Sequence, residues 1–523
     1  MAPIYSDLTV PLRPDRSITQ FMLENVCHTD PRKVICEDTL TDKQTTYGGL
    51  RKESFRVAHS LRFKYGLEAN DAVSIISRSC VDYILAAHGI WAAGGVVRSV
   101  SVSMFLCSAA LLLCCSHDGP KSTISPSNTA EELAFAIKIV KPKMVIVDTS
   151  VKKKLDDAIR LAGATVEDFT IMTLLSRVPG HSHFPDDLLT TNDRIPAEAY
   201  VLDGQDASKR CAAVVLSSGT TGLPKAVMLS HHNLTAICEM LRYHNTDNWR
   251  GDMREVFFPL LQNKRATLAR LVPTVALALS ESPIVSKYKY PDLEYFSCAG
   301  AVLKATYGCT ETSSCISQGG VRDKGAPLVA TGTLLANIGI RFLDDQLQDV
   351  PVGRPGEVCV SCPTIMMGYK DNEQATRESM LEPGWYRTGD VGYLDPKGYL
   401  IIVDRIKDVI KYKGFQVSPT ELEEIISQHP QVQDIGVTST WDDSQATEVP
   451  RAFVVPRPDV PETDLPQLAQ EIQTLVADKA AGYKKIRGGV RFVGGLPKNP
   501  TGKLLRRQLR QQDVEGRKTW ARM

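Results

Sequence analysis

The chain has 523 residues, 43% hydrophobic and 23% charged, so it is long enough for more than one domain with a sizeable core. Lysine and arginine number 61 and aspartate and glutamate 60, which gives a net charge of +1. This balance argues against a dedicated nucleic-acid binder, and the apolar content argues against a disordered chain. The 13 cysteines follow no paired spacing and no apolar signal run stands at the N-terminus, so we expect a reduced, intracellular compartment.

An apolar stretch at residues 100–115 contains Cys107, Cys114 and Cys115. A membrane-spanning helix needs about 20 apolar residues. This run is shorter and contains serines, so we expect a buried helix or strand and no membrane span.

Helical and strand-like patterns alternate along the first 400 residues. The spacing of apolar residues predicts helices at 51–63, 83–93, 129–139 and 231–243, with Thr129 and Ser230 as N-caps. Short apolar runs predict strands at 72–76, 144–147, 212–216 and 226–229. This alternation favours a layered α/β fold with largely parallel strands.

The pattern changes near residue 400. We expect a strand at 399–403, then helices at 419–427 and 465–477 with strands at 435–438 and 452–455. The sequence therefore predicts a large N-terminal multi-sheet α/β domain, residues 1–403, joined by a hinge to a small C-terminal α+β domain, residues 404–523.

The strongest local motif is Ser217-Ser218-Gly219-Thr220-Thr221-Gly222-Leu223-Pro224-Lys225, directly after a predicted strand. Glycines let the backbone approach a ligand, hydroxyls add donors and lysine adds positive charge, which together suit a polyphosphate. The motif lacks the Gly-Lys-Ser/Thr ending of a Walker A loop. A flexible surface turn is the alternative interpretation.

Four further clusters of polar residues are each weaker evidence for a binding site than this motif. They are residues 307–312, residues 385–390, residues 404–416 with their lysines, and residues 497–503. A carboxylate after a Thr-Gly turn, as at Asp390, can accept hydrogen bonds from a ribose diol. Polar turns and solvated charged linkers would give similar patterns.

In this order, the clusters resemble the signature of the adenylate-forming superfamily, which contains acyl-CoA synthetases, 4-coumarate–CoA ligases, luciferases and peptide-synthetase adenylation domains. The resemblance covers nearly the whole chain, and residues 411–423 look most like the coumarate-ligase and fungal acyl-CoA ligase branch. It implies an N-terminal AMP-binding domain, a mobile C-terminal domain, and a ligase that uses ATP, Mg²⁺ and coenzyme A. Such an enzyme converts a small carboxylic acid to an acyl-adenylate and pyrophosphate, then to a thioester.

The resemblance also implies a role for each motif residue. At the β- and γ-phosphates it places Ser217, Ser218, Gly219, Thr220, Thr221 and Lys225. Around the adenylate it places Tyr307 against adenine, Thr310 at the α-phosphate, Glu311 at Mg²⁺, and Asp390 and Arg405 at the ribose. From the small domain it brings Lys503 to the acyl carboxylate and α-phosphate, Lys411 and Gln416 to the adenylate, Lys413 and Gly414 towards coenzyme A, and Lys407 to the hinge.

The chain departs from the family pattern in three places. An atypical insert, residues 98–124, separates two segments that are nearly adjacent in the family, and we interpret it as a retained intron, with a lineage-specific loop as the alternative. The family's histidine motif is absent, with an apparent deletion near 262–271. A helix and strand are missing near 303–307. We therefore predict a poorly soluble or weakly active protein, because lost core elements can exceed the roughly 5–15 kcal/mol that stabilises a domain.

Three functions stay open on these grounds: an acyl- or aryl-CoA ligase, a non-catalytic or impaired remnant of one, and an adenylating enzyme that loads a carrier protein in trans.

Two smaller motifs remain. Cys359 and Cys362 form a lone C-x-x-C, for which we do not expect metal binding. The ending Ala521-Arg522-Met523 resembles a peroxisomal address. We therefore expect recognition by the peroxisomal import receptor, and a cytoplasmic location otherwise.

Overall fold

A computed structural model of the chain shows a mixed α/β protein. The residues it describes are 3–26, 28–38, 43–77, 80–99, 129–189, 202, 204–217, 225–244, 268–271, 295–299, 305–319, 327, 330–413, 415–445, 447–498, 504–506 and 508–513. Its helices are α1 (Ile18–Glu24), α2 (Tyr47–Phe63), α3 (Val81–Ala92), α4 (Ala130–Val140), α5 (Lys152–Ala162), α6 (His231–His244), α7 (Glu373–Glu378), α8 (Pro419–Ser427) and α9 (Leu465–Lys479).

The first strands in the chain are β1 (Ile4–Tyr5), β2 (Val34–Glu37), β3 (Gln44–Thr46), β4 (Ala72–Ile76), β5 (Val96–Ser99), β6 (Met144–Asp148), β7 (Thr170–Leu174), β8 (Ser182–Phe184), β9 (Cys211–Ser217), β10 (Lys225–Ser230), β11 (Leu268–Leu271), β12 (Tyr295–Ala299) and β13 (Ala305–Tyr307). The remaining strands are β14 (Ser317–Gln318), β15 (Thr333–Leu334), β16 (Gly339–Leu343), β17 (Gly356–Ser361), β18 (Gly368–Tyr369), β19 (Met380–Glu382), β20 (Trp385–Leu394), β21 (Leu400–Arg405), β22 (Ile410–Tyr412), β23 (Phe415–Val417), β24 (Val432–Asp442), β25 (Thr447–Pro456) and β26 (Val490–Phe492).

An eight-stranded sheet has the strand order β18-β10-β9-β5-β4-β6-β7-β8. The strands from β9 to β8 are parallel to one another, whereas β10 is antiparallel to both of its neighbours. Strand β4 is buried along its whole length, and so is helix α3, whose Trp91 Nε1 donates to the Ala212 carbonyl at 3.0 Å. Parallel strands buried on both faces are apolar throughout, which is the pattern that the sequence shows.

A second sheet has the order β11-β12-β13-β14-β15 and carries residue Tyr307. Strands β12 and β13 are parallel neighbours, with Cys298 opposite Ala305, yet only residues 300–304 connect them. Parallel neighbours ordinarily need a crossover of a dozen or more residues. The expected deletion near 303–307 stays a prediction, but this connection is unusually short for the topology that it must close.

The described chain divides into two compact units: residues 2–340 with 360–387, and residues 341–359 with 388–523. In the second unit, β24, β25 and β26 form a sheet whose apolar face packs with α8 and α9, through residues such as Leu422 and Ile472. Helix α8 begins where its sequence predicts, because Ser418 caps it and Pro419 occupies its first turn.

The predicted fold class is confirmed: a large α/β region precedes a small α+β region. The predicted boundary between residues 403 and 404 falls inside strand β21 and stays a prediction. Arg98 lies in strand β5, whereas residues 100–128, with most of the predicted insert, lie outside the described residues. Within the described part of the chain, no helix is long and apolar enough to span a membrane.

Candidate active site

The two ends of the predicted phosphate motif lie side by side. Strands β9 and β10 pair so that Ser217 is directly opposite Lys225. The Ser217 Oγ is buried and has no hydrogen-bond partner among the described residues. Ser218, Gly219, Thr220 and Thr221 lie outside those residues. The fold therefore brings a serine and a lysine together at one end of the paired strands β9 and β10, a combination suited to a phosphate.

The second predicted cluster forms a tight turn after strand β13. A Cβ at Gly308 would lie 1.5 Å from the Ser314 carbonyl oxygen, so only glycine fits there. The turn then forms a short 3₁₀ helix, Thr310–Thr312, and buries Glu311 to 8% exposure. Tyr307 and Thr310 are half-buried. This turn fixes the backbone on both sides of the predicted metal-binding carboxylate.

Lys225 and Glu311 meet through a tyrosine that the motifs did not identify. The Tyr369 hydroxyl donates to Glu311 Oε1 at 2.9 Å, and Lys225 Nζ lies 4.7 Å from the centre of the same ring. Burial, and then the nearby Glu311, raises the pKa of Tyr369 far above its usual range. The phenol therefore stays neutral and remains a donor. In the sequence, the only sign of this tyrosine's role is the Gly368-Tyr369 pair. Taken alone, that pair resembles the ordinary end of a strand.

In the other unit, the two predicted ribose-binding residues are partners. Asp390 on β20 lies directly opposite Arg405 on β21, and Arg405 Nε is 3.2 Å from Asp390 Oδ1. The turn before Asp390 is fixed by Thr388, whose Oγ1 accepts from the Asp390 backbone N–H at 3.1 Å and donates to the Val358 carbonyl. The structure therefore brings the two predicted ribose-binding residues together as a carboxylate and a guanidinium.

The predicted small-domain strip forms a hairpin. Lys411 on β22 pairs with Gln416 on β23, and the side chains of Lys407, Lys411 and Lys413 are exposed. Lys413 adopts a left-handed conformation at φ 47°, next to Gly414 at the hairpin turn. The Gln416 side chain, Gly414 and Lys503 lie outside the described residues. The hairpin presents its lysines on the surface, where a ligand can reach them.

The segment that contains Lys503 is anchored at both of its ends. Lys498 and Leu504 form an isolated antiparallel bridge, and the Leu505 N–H donates to the Pro497 carbonyl at 2.8 Å. Beyond it, Arg510 donates to the Lys407 carbonyl and to Asp408 at 2.9 and 2.7 Å. Sequence patterns did not predict this contact between the predicted hinge and residues 508–513.

Residues 23–262 and 248–370 match the family model of the AMP-binding enzyme, and residues 421–503 match that of the AMP-binding enzyme C-terminal domain. The chain belongs to the AMP-binding enzyme family. The two N-terminal matches overlap at residues 248–262, so the family pattern is interrupted close to the predicted deletion at 262–271.

Relatives of this AMP-binding enzyme include two coumarate-ligase-like proteins. It is 29% identical to "Probable 4-coumarate--CoA ligase 3" of Dictyostelium discoideum over 566 aligned positions, which cover 95% of each chain. It is 30% identical to "4-coumarate--CoA ligase-like 9" of Oryza sativa subsp. japonica, over 95% of this chain and 93% of that protein. Because the first alignment is longer than the chain, it contains positions at which this chain has no residue.

Solved structures share the fold. The anthranilate CoA ligase AuaEII in complex with anthranoyl-AMP superposes with a TM-score of 0.77 at 20% identity, over 96% of this chain and 98% of that one. ATP-bound MatB from Rhodopseudomonas palustris superposes with a TM-score of 0.75 at 22% identity, over 95% and 99% of the two chains. At this level of identity, the likeness extends to the fold alone.

Proposed function

We propose that this AMP-binding enzyme is an ATP-dependent acyl- or aryl-CoA ligase. A carboxylate attacks the α-phosphate of ATP and displaces pyrophosphate; the thiol of coenzyme A then attacks the acyl carbon and displaces AMP. The observation that carries the proposal is the arrangement of Lys225 and Glu311 around Tyr369, beside the buried Ser217 hydroxyl. The coumarate-ligase relatives support the choice of coenzyme A as acceptor.

The first half-reaction brings a carboxylate to a polyphosphate, so negative groups must approach one another. The pairing of Ser217 with Lys225 supports a role for both at the β- and γ-phosphates, and Thr310, in the turn after strand β13, would contact the α-phosphate. Fixed positive groups stabilise the charge that develops, and no nucleophilic side chain is required.

A single carboxylate such as that of Glu311 fits Mg²⁺, which is commonly held by one or two carboxylates together with substrate phosphates. When bound, the ion would supply charge neutralisation at the phosphates. The protein's own part is to hold the Glu311 carboxylate in a fixed orientation, which the hydrogen bond from Tyr369 does.

Asp390 and Arg405 provide a ribose site. A carboxylate accepts hydrogen bonds from a diol, and a guanidinium held by that carboxylate can donate to the same hydroxyls. The cross-strand pairing of β20 and β21 fixes both groups without a ligand. Tyr307 supplies the aromatic face for the adenine.

The two half-reactions need different groups, which the small domain would deliver in turn by rotation at Lys407. Lys503 would serve adenylation, and the hairpin with Lys411, Lys413, Gly414 and Gln416 would serve thioester formation. Such gating by a hinged domain is a common way to separate successive chemical steps.

An impaired remnant is the second candidate, and two observations favour it. The connection between β12 and β13 is short for parallel neighbours, and the family match is interrupted at residues 248–262. Transfer to a carrier protein in trans is the third candidate.

One assay separates these functions. The purified chain is incubated with ATP, Mg²⁺ and a panel of carboxylic acids, with coenzyme A, with a carrier protein, or with neither. We expect pyrophosphate exchange with some acids and thioester only when coenzyme A is present. Exchange with carrier loading alone would support the third function, and no exchange with any acid would support the second.

Peroxisomal import through Ala521-Arg522-Met523 stays a proposal, since these residues lie outside the described part of the chain. A fluorescent reporter ending in the last dozen residues tests it. Punctate signal that coincides with a peroxisomal marker is expected, whereas diffuse cytosolic signal would contradict the proposal.

A further inference from the structure

Strand β18 lies between the two parts of the candidate phosphate site. On one side it pairs with β10, with Tyr369 opposite Val227, and the Lys370 N–H donates to the Ala226 carbonyl at 2.8 Å. The residue next to Ala226 is Lys225. The backbone of β18 is therefore fixed relative to the end of the phosphate motif.

On its other side, the same segment is bound to the turn that contains Glu311. The Met366 N–H donates to the Glu311 carbonyl at 2.8 Å, and the buried Ser313 hydroxyl donates to the Thr364 carbonyl at 2.7 Å. Residues 364–370 thus connect two motifs that lie more than 80 positions apart in the sequence.

The side chain of Tyr369 also links the two motifs, through contacts with Glu311 and Lys225. It is 6% exposed, its hydroxyl donates to Glu311 Oε1 at 2.9 Å, and its ring lies 4.7 Å from Lys225 Nζ. Within the described part of the chain, Glu311 Oε2 has no hydrogen-bond partner. One carboxylate oxygen is therefore held while the other is available.

We propose that Tyr369 is a positioning residue for the metal–ATP complex, acting through Glu311 and Lys225. Its hydroxyl holds Glu311 Oε1, so that Oε2 would be available to a metal ion, and its ring holds Lys225 by a cation–π contact. The proposal rests on the proposed function, since it assumes that Glu311 binds Mg²⁺ and that Lys225 binds phosphate.

A second buried tyrosine, Tyr386, lies beside Tyr369. It is 5% exposed, and it lies near enough to Tyr369 for each phenol to affect the pKa of the other. Removing the Tyr386 hydroxyl therefore changes the surroundings of the Tyr369 hydroxyl and leaves the Tyr369–Glu311 hydrogen bond itself in place.

Calorimetric titration with ATP, in the presence of Mg²⁺ or of EDTA, tests the proposal on the full chain. Tyr369→Phe keeps the ring and removes the hydroxyl, so it should weaken Mg²⁺–ATP binding by about tenfold or more and leave metal-free ATP binding unchanged. Tyr369→Leu removes the ring as well and should weaken ATP binding under both conditions. Tyr65→Phe, which removes a hydroxyl bonded to Ser182 in the same unit, is the matched control and should bind like the parent chain.

The outcomes distinguish the positioning role of Tyr369 from the proposed function. If the parent chain binds ATP and Tyr369→Phe binds Mg²⁺–ATP equally well, the positioning role is wrong although the proposed function stands. An equal loss with and without Mg²⁺ in Tyr369→Phe would also overturn it. If the parent chain binds no ATP, the proposed function fails, and the inference with it. Should Tyr369→Phe not fold, Tyr386→Phe decides: a smaller loss confined to Mg²⁺–ATP supports the role, and no change contradicts it.

Discussion

Asp390 and Arg405 depend on each other before any ligand arrives. Their main chains are cross-strand neighbours, and Arg405 Nε lies 3.2 Å from a carboxylate that is 11% exposed. A hydrogen bond to a charged group is worth roughly 1.5–3 kcal/mol, and a buried charge that loses its partner costs more. Changing either residue therefore alters the other as well as the ribose contact.

Asp390→Asn should weaken ATP binding by about tenfold, because the amide accepts hydrogen bonds less strongly than the carboxylate and releases Arg405. Calorimetric titration with ATP measures the change. Asp459→Asn, at an exposed position of the same unit, is the control. Equal ATP affinity in Asp390→Asn and the parent chain would exclude the ribose assignment.

His231 begins helix α6, and its environment favours the neutral ring. It is 2% exposed, and its Nδ1 accepts from the Ile18 N–H at 3.3 Å. Burial, and then the charge of Arg210, lowers its pKa to about 4. A cation at a helix N-terminus is also unfavourable, since the helix dipole is positive there.

Lowering the pH should therefore destabilise the fold through His231. A lowered folded-state pKa means that its stabilisation is present above pH about 6.5 and is lost as the pH falls towards about 4. The loss reaches up to about 3 kcal/mol of unfolding free energy. His231→Asn should flatten the pH dependence of the melting temperature over that range, while the exposed His28→Asn should not. Identical pH profiles for His231→Asn and the parent chain would contradict this account.

A buried ion pair joins helix α8 to Arg506. Arg506 donates to Glu423 Oε2 at 2.6 Å, and the two side chains are 13% and 16% exposed. The other oxygen, Oε1, accepts from the Val437 N–H at 2.7 Å. This pair joins the segment after Lys503 to the core of the small unit.

Arg506→Met should lower the free energy of unfolding by about 3–5 kcal/mol, because it leaves Glu423 buried without its partner. Urea unfolding followed by circular dichroism measures the loss. The double change Glu423→Gln with Arg506→Met should recover most of it, and the exposed Arg457→Met should stay within about 0.5 kcal/mol of the parent chain. A single variant as stable as the parent would show that the pair contributes little.

Sequence patterns predicted the bounds of an element best where neighbouring residues alone determine where it begins and ends. Helix α8 has its own cap and proline, and residues 419–427 match its observed bounds. Strands β24 and β25 are longer than predicted, because they pair with each other from Val432 to Asp442, and that pairing is visible only in the fold. Tyr369 was missed for the same reason: its partners come from strand pairing between distant segments.

At the scale of the whole molecule, the sheet around β12 is where the predicted loss of core elements can be tested. Residues 300–304 are all that connect two parallel neighbours. The buried face of such a sheet needs the helix that a normal crossover provides. Sequencing the mature transcript tests the related expectation about residues 98–124: a transcript that encodes them would exclude the retained intron.

Lengthening the connection at residues 300–304 by a helical segment of about a dozen residues, taken from a relative, should raise the soluble yield and the melting temperature. Differential scanning fluorimetry and the soluble fraction after expression measure both. The same segment inserted after Asp459, in an exposed turn, is the control. Improvement in the control alone, or in neither chain, would contradict the idea that a crossover is missing.

The most direct test of the account is the stoichiometry of products from ATP, Mg²⁺, coenzyme A and a panel of carboxylic acids. Chromatography with mass detection measures AMP and acyl-CoA together. We expect equal amounts of AMP and acyl-CoA with at least one acid, and in Asp390→Asn a smaller but still equal amount of both at an ATP concentration below saturation. ADP in place of AMP, or AMP that forms without a carboxylic acid, would contradict it.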